Sequence, residues 1–210
     1  MRNRISYIDF EKALSPFGIF RLSDILKAYL AFDSRRLNEW QKKGYITKLI
    51  KGHYIFNSIE MNETVLFQIA NALTRPSYIS LESALSYYHF IPEQSFSITS
   101  VTTVKTNHYN TPKGCFLYQS LKPSLFFGYR VLRSNRRPIL MAEPEKAILD
   151  FLYLHPELED VAAIEALRLN IHELEGLDEQ RMNSYLQLFD NKALNKRFEL
   201  LKNVKHVGTV

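Results

Sequence analysis

Residues 22–56 read LSDILKAYLAFDSRRLNEWQKKGYITKLIKGHYIF, and the hydrophobic spacing along this stretch decides the expected fold. Leu22, Ile25, Leu26, Tyr29 and Leu30 fall at i, i+3, i+4, i+7 and i+8, which paints one apolar stripe on a helix, with Ser23 as a candidate cap. Asp33 or Ser34 then caps a second helix, in which Leu37 and Trp40 point inward and which Gly44 ends in the C′ position. On the opposite face, at about 100° per residue, lie Arg35, Glu39 and Lys42, flanked by Arg36, Asn38 and Lys43. Two β-rich runs follow, YITKLI and HYIF, separated by Lys51 and Gly52, the spacing of a tight hairpin.

Upstream, FEKALSPFGIF holds a short helical stretch (Phe10, Ala13, Leu14) stopped by Pro16 and Gly18. Helix, helix, basic helix and hairpin within residues 1–58 is the order of a winged helix-turn-helix. In such a module the basic helix enters the major groove and offers Arg35 and Asn38 to base edges. Arg36, Lys42 and Lys43, with Lys48, Lys51 and His53 of the hairpin, would meet phosphates, which position a protein without reading sequence.

The composition bounds the alternatives. A chain of 210 residues, 46% hydrophobic and 23% charged, is long enough to bury a core and too apolar to be wholly disordered. No apolar run approaches the roughly 18–20 residues of a membrane span, and the start, MRNRISYIDFEKAL, has no apolar region of the secretory kind. The single cysteine, Cys115, excludes an internal disulfide and a Cys-based zinc cluster. A cytoplasmic protein is the expectation.

Charge is segregated. Residues 1–57 carry 11 Lys/Arg against 5 Asp/Glu, whereas residues 143–190 carry 3 against 12. A basic front and an acidic region point to an anionic partner for the first and a separate role for the second. The alternative is an acidic helical face paired with the basic tail of residues 191–210.

Residues 59–210 read as an α+β domain with a helical C-terminal end, so the whole chain is expected to be α+β. NETVLFQIANALTRP is a helix closed by Pro76, and YISLESALSYYHFIPE is a brief strand, a Ser80 cap and a helix stopped by Pro92. SFSITSVTTVK is β-branched and extended, residues 106–114 read as a loop, and CFLYQSLK, YRVLRS and RPILMA are further strands. EPEKAILDFLYLH is a helix with Pro144 at N1 and Ala147, Ile148, Phe151 and Leu152 inward. The helices DVAAIEALRLN, DEQRMNSYLQLF and NKALNKRFELLK complete the chain.

Nothing in these residues points to an enzyme. His53, His89, His108, His155, His172 and His206 are scattered without metal-ligand spacing, and no Gly-rich phosphate loop occurs, so neither metal nor cofactor is expected. Glu143-Pro144-Glu145-Lys146 loosely echoes the acid-x-Lys core of restriction-type nucleases, but the spacing is wrong. Glu143 is better read as a helix-start carboxylate. Arg130, Arg133, Arg136 and Arg137 form a second basic patch, either a satisfied turn and edge or an auxiliary contact to a nucleic-acid backbone.

Three stretches in this order, residues 22–56, YISLESALSYYHFIPE and EPEKAILDFLYLH, give a chain that resembles the AbiEi family of antitoxins from bacterial type IV toxin–antitoxin systems. The resemblance covers most of residues 20–155. It implies an N-terminal winged helix that binds inverted repeats of double-stranded DNA at its own promoter and represses it. It also implies an antitoxin-type domain over 59–210 that neutralises a nucleotidyltransferase-like toxin, with or without direct contact. Carried onto this chain, the DNA role falls on Arg35, Arg36, Asn38, Lys42, Lys43, Lys48 and Lys51. The competing reading is a protein-interaction module in which the winged helix is a scaffold. Its docking face would be the acidic set Glu157, Glu159, Asp160, Glu165, Glu173 and Glu175.

Overall fold

Ser6 opens the first helix by accepting the Asp9 N–H on its hydroxyl at 3.1 Å, in a computed structural model that describes residues 5–92 and 96–207. The basic start at residues 1–4 and the side chain of His206 lie outside the described residues. Helix α1 (Tyr7–Leu14) buries Phe10 and Leu14 and runs into one 3₁₀ turn, Ser15–Phe17. Gly18, at φ +66, then turns the chain into strand β1 (Ile19–Arg21). Helices α2 (Leu22–Ala28) and α3 (Arg35–Lys42) follow, then β2 (Ile46–Ile50) and β3 (His53–Phe56), joined at Lys51-Gly52 as the spacing predicts. The three strands form one antiparallel sheet of order β1-β3-β2.

Helix α2 departs from its periodicity. It ends at Ala28, and of the predicted stripe Ile25 alone is fully buried; Leu22 and Leu26 are 37% and 41% exposed, and Leu30 is 94% exposed. The Tyr29 hydroxyl reaches the Asp9 carbonyl at 3.1 Å, and Tyr29 takes an extended conformation that breaks the helix. A tertiary contact thus overrides a favourable local pattern. The cap is not Ser23: the Asp24 carboxylate accepts the Arg21 N–H at 2.9 Å. At α3 the N-cap position is Ser34, whose hydroxyl caps nothing, while the preceding Asp33 accepts the Arg35 N–H at 3.0 Å.

An aromatic cluster fills the space between these helices and the sheet. Phe10 and Trp40 lie 4.4 Å apart and Phe20 and Phe56 4.7 Å, all of them buried. Both pairs are tilted, and Phe10 also meets Phe20 edge-on at 5.4 Å, an arrangement that adds about 0.5–1.5 kcal/mol to the gain from burial.

Helix α4 (Glu63–Leu73), capped by the Asn62 side chain on Val65 N–H at 3.0 Å, leads into β4 (Ser77–Ile79) and α5 (Leu81–Tyr87). Strands β5 (Ser97–Thr102), β6 (Asn107–Thr111), β7 (Gly114–Ser120), β8 (Tyr129–Leu132) and β9 (Ile139–Ala142) follow. The second sheet has six strands in the order β6-β7-β5-β4-β9-β8, parallel at β5/β7 and β4/β9 and antiparallel elsewhere. Strand β6 corrects the loop expected at 106–114. In its sequence, NHYNT, two Asn offset the strand-favouring Tyr and Thr, but β7 supplies an open edge and Tyr109 packs edge-on against Tyr118 at 5.7 Å. Helix α6 (Pro144–Leu154) starts at Pro144 as predicted. Helices α7 (Val161–Glu165), α8 (Ile171–Glu175), α9 (Glu179–Phe189) and α10 (Lys192–Val207) make the helical end. The chain is mixed α+β.

Two cores form. The first joins the N-terminal aromatics to α4 and to Ile79, Phe116, Tyr118, Ile139 and Met141 of the large sheet. The second packs Tyr78, Val101 and Ala142 of that sheet against α5, α6 and the C-terminal helices. The first core therefore runs across the boundary expected at residues 58–59 without a break.

Gly128 is held tightly within the second core. It sits at φ +66, and a Cβ there would lie 3.1 Å from Lys146 Cγ and from the Tyr185 ring. Left-handed strain of about 1–2 kcal/mol and overpacking of about 1–3 kcal/mol act together. Gly128→Ala is expected to cost about 2–5 kcal/mol in urea unfolding. An unchanged midpoint would mean that Lys146 and Tyr185 do not pack against Gly128 as described.

Candidate nucleic-acid interface

Helix α3 carries its charges on one side because the other side is spent on the core, where Leu37 and Trp40 are buried. Asn38, Lys42 and Lys43 are exposed. Arg35 is 78% exposed and is held by Asp33, with its Nε at 3.0 Å and Nη2 at 2.7 Å from the carboxylate. Lys43 is bonded to Glu39 at 3.0 Å. Exposed pairs of this kind are screened by solvent and hold their partners only weakly. Lys48 and Lys51 are exposed on the β2–β3 hairpin. Exposed donors thus lie on the outer side of α3 and exposed cations on the hairpin.

Two of the predicted contacts behave differently. Arg36 turns inward: its Nη1 meets Glu39 at 3.0 Å, its Nη2 donates to the Ile5 carbonyl at 3.0 Å, and its guanidinium lies 5.0 Å from the Trp40 ring centroid. It pins Ile5 to α3, and at 20% exposure it is set apart from the exposed cations Arg35, Lys42 and Lys43. His53 is half-buried opposite Arg21 of β1. Burial pulls its pKa below the ordinary histidine value, and the nearby Arg21 and Arg75 add to the effect. A ring held neutral at pH 7 offers hydrogen bonds rather than charge.

The four arginines of the second patch are not brought together. Arg130 lies over the Tyr88 ring at 5.4 Å, and Arg133 is exposed on the connection after β8. Arg136 crosses Gly18, where a Cβ would meet its Cδ at 2.8 Å. Arg137 donates to the Phe17 carbonyl at 3.0 Å, pairs with Asp24 at 3.5 Å and covers the Phe17 ring. Arg136 and Arg137 thus clasp the N-terminal unit to the large sheet.

The nuclease-like tetrapeptide disperses in space. Glu143 accepts the Tyr185 hydroxyl, while Glu145 accepts the Asp178 N–H at 2.9 Å and meets Arg181 at 3.3 Å. Lys146 points into the core. No group of three metal-ligating side chains converges among the described residues.

Sequence reading missed what Lys146 does. It is fully buried against Asp150, which is also fully buried, one turn further along α6. Tyr78 and Ser80 each donate a hydroxyl to Asp150 Oδ2 at 2.9 Å, and Lys146 Nζ lies 2.9 Å from the Tyr78 oxygen. The rings of Phe127 and Phe189 stand 4.9 and 4.8 Å from the ammonium. Burial raises the Asp150 carboxyl and lowers the Lys146 ammonium, and each partner opposes the other's shift. The available signal was a Lys–Asp pair at i, i+4 on an otherwise apolar helix. The Ser80 hydroxyl, expected to cap α5, is committed to this cluster instead.

At the other end, Glu157, Glu159, Asp160, Glu165, Glu173 and Glu175 are all exposed. Asp160 caps α7 on Ala163 N–H at 2.8 Å. In the basic tail, Arg197 donates to the Leu152 and Pro156 carbonyls at 3.1 and 3.4 Å. No helix among the described residues is long and apolar enough to cross a membrane. In comparison with known proteins, no family model matches the chain and no curated protein matches it.

Proposed function

We propose that residues 1–58 form a winged helix-turn-helix that binds double-stranded DNA, with α3 in the major groove and the β2–β3 hairpin as the wing. The connectivity α1-β1-α2-α3-β2-β3 with sheet order β1-β3-β2 supports this reading. The observation that carries it is the division of α3: Leu37 and Trp40 buried, with Arg35, Asn38 and Lys42 together on the outer face. Arg35 and Asn38 read base edges, and Lys42, Lys43, Lys48 and Lys51 hold phosphates. Together with the resemblance to AbiEi antitoxins, this makes the chain a repressor of its own operon. Its partner is then a nucleotidyltransferase-like toxin, neutralised with or without contact.

A mobility-shift titration on DNA from upstream of the gene tests the proposal, against an unrelated fragment of equal length at two salt concentrations. The expected result is a specific shift that weakens steeply with salt and that Arg35→Ala weakens further. No shift on either fragment would remove the DNA role. The exposed acidic set on α7, α8 and their flanks supports the second reading, a docking face for a basic protein, which would then take precedence.

A further inference from the structure

A groove of about 550 Å³ opens beside the N-terminal unit, between the end of α4 and the start of β9, lined by Asn71, Ala72, Arg75, Ser77, Arg137 and Leu140. Asn71, Arg75 and Arg137 bring N–H donors to its lining, and the Gln68 amide at the same wall is bound through Nε2 to the Arg137 carbonyl. Asn71 Oδ1 accepts the Leu140 N–H at 2.7 Å, which fixes the amide orientation and leaves Nδ2 as its remaining donor. That Nδ2 is buried and meets no acceptor in the protein. A buried donor left in this state carries an uncompensated desolvation penalty, which a bound acceptor would recover. The Arg75 side chain is exposed and lies along the end of α4, its Nε 3.4 Å from the Asn71 carbonyl.

The charge balance agrees. Arg75 and Arg21 both lie within electrostatic reach of Arg137, and Asp24 answers two of the three, 3.5 Å from Arg137 and 3.7 Å from Arg21. The carboxyl end of α4 contributes roughly half a negative charge. An excess of about +1.5 is left over three guanidinium groups and one carboxylate. Burial already works against the Arg137 charge, and its two arginine neighbours add to the penalty.

We propose that this groove is a binding site for a phosphoryl group, with Arg75 and Asn71 Nδ2 as its donors and Arg137 as the fixed cation in its wall. A phosphoryl oxyanion suits it because it accepts several hydrogen bonds at once and offsets the excess charge. Two sources share this chemistry, a nucleic-acid backbone and a small phosphate ester. The site does not depend on the DNA reading.

The test is a thermal-shift titration of the full chain with inorganic phosphate, matched in ionic strength by sodium chloride. Saturable stabilisation is expected in the unaltered protein. Arg75→Gln should raise the half-saturating concentration at least tenfold. Asn71→Asp keeps the acceptor for Leu140 N–H and replaces the donor, so it should abolish saturation. Should Asn71→Asp fail to fold, Arg75→Gln, an exposed substitution, carries the test alone. The same response to phosphate and to chloride, or equal responses in all three proteins, would overturn the proposal. A second arm identifies the source. If the phosphate belongs to DNA, Arg75→Gln lowers the slope of log affinity against log salt by about one. If it belongs to a small ester, that slope is unchanged and a nucleoside monophosphate saturates below inorganic phosphate. Absence of DNA binding would defeat the functional reading above and leave the phosphate titration standing.

Discussion

Asp150→Ala is expected to lower the stability of the protein by about 3–5 kcal/mol, the cost of leaving a buried charge without its partner. Lys146 would keep the Tyr78 hydroxyl and two phenyl rings, which do not replace a carboxylate in a site closed to water. Tyr78 and Ser80 would each lose the acceptor for a buried hydroxyl. The joint substitution Lys146→Met, Asp150→Leu behaves differently. It removes both desolvation penalties, but the Tyr78 and Ser80 hydroxyls still lose their acceptor, so the double variant is expected to cost less than Asp150→Ala rather than to stabilise. Urea midpoints of the single and double variants decide the matter. A single variant that loses less than about 1 kcal/mol would mean that water reaches the cluster.

The second large effect is on DNA. Lys42→Glu with Lys43→Glu is expected to abolish the shift on the upstream fragment while leaving the fold intact, since both side chains are exposed and neither enters the core. Loss of two phosphate contacts alone lowers the salt slope by about 1.8, and the reversed charges then repel the backbone. Arg36→Gln separates placement from contact. Its side chain holds Ile5 and Trp40, so it should lower the melting temperature first and DNA affinity only through α3. DNA affinity unchanged by the double reversal would show that α3 does not lie in the groove.

Much of this architecture could be read from the residues. The Lys51-Gly52 turn, the burial of Leu37 and Trp40 and the start of α6 at Pro144 all follow from local rules that tertiary packing did not override. Three features escaped those rules, each for a non-local reason. Helix α2 stops early because Tyr29 is drawn to Asp9. Strand β6 exists because β7 presents an edge, not because NHYNT favours extension. Arg36 and Arg137 look like surface cations in a sequence window, but their partners lie 31 and 120 residues away. The groove beside α4 was invisible for the same reason. Its walls come from residues 68–77 and 137–140, brought together by the sheet.

The unbroken core across residue 58 bears on how such a protein could change its target. A reading head joined by a slack tether can be traded between proteins as a cassette. Here Phe56 and Ile59 share one interior with α4 and Met141, and Arg137 reaches back to Phe17, so excision would tear open the interior of both parts. On the proposed DNA-binding reading, new specificity would come from single replacements at Arg35, Asn38 and their exposed neighbours rather than from exchange of the whole unit.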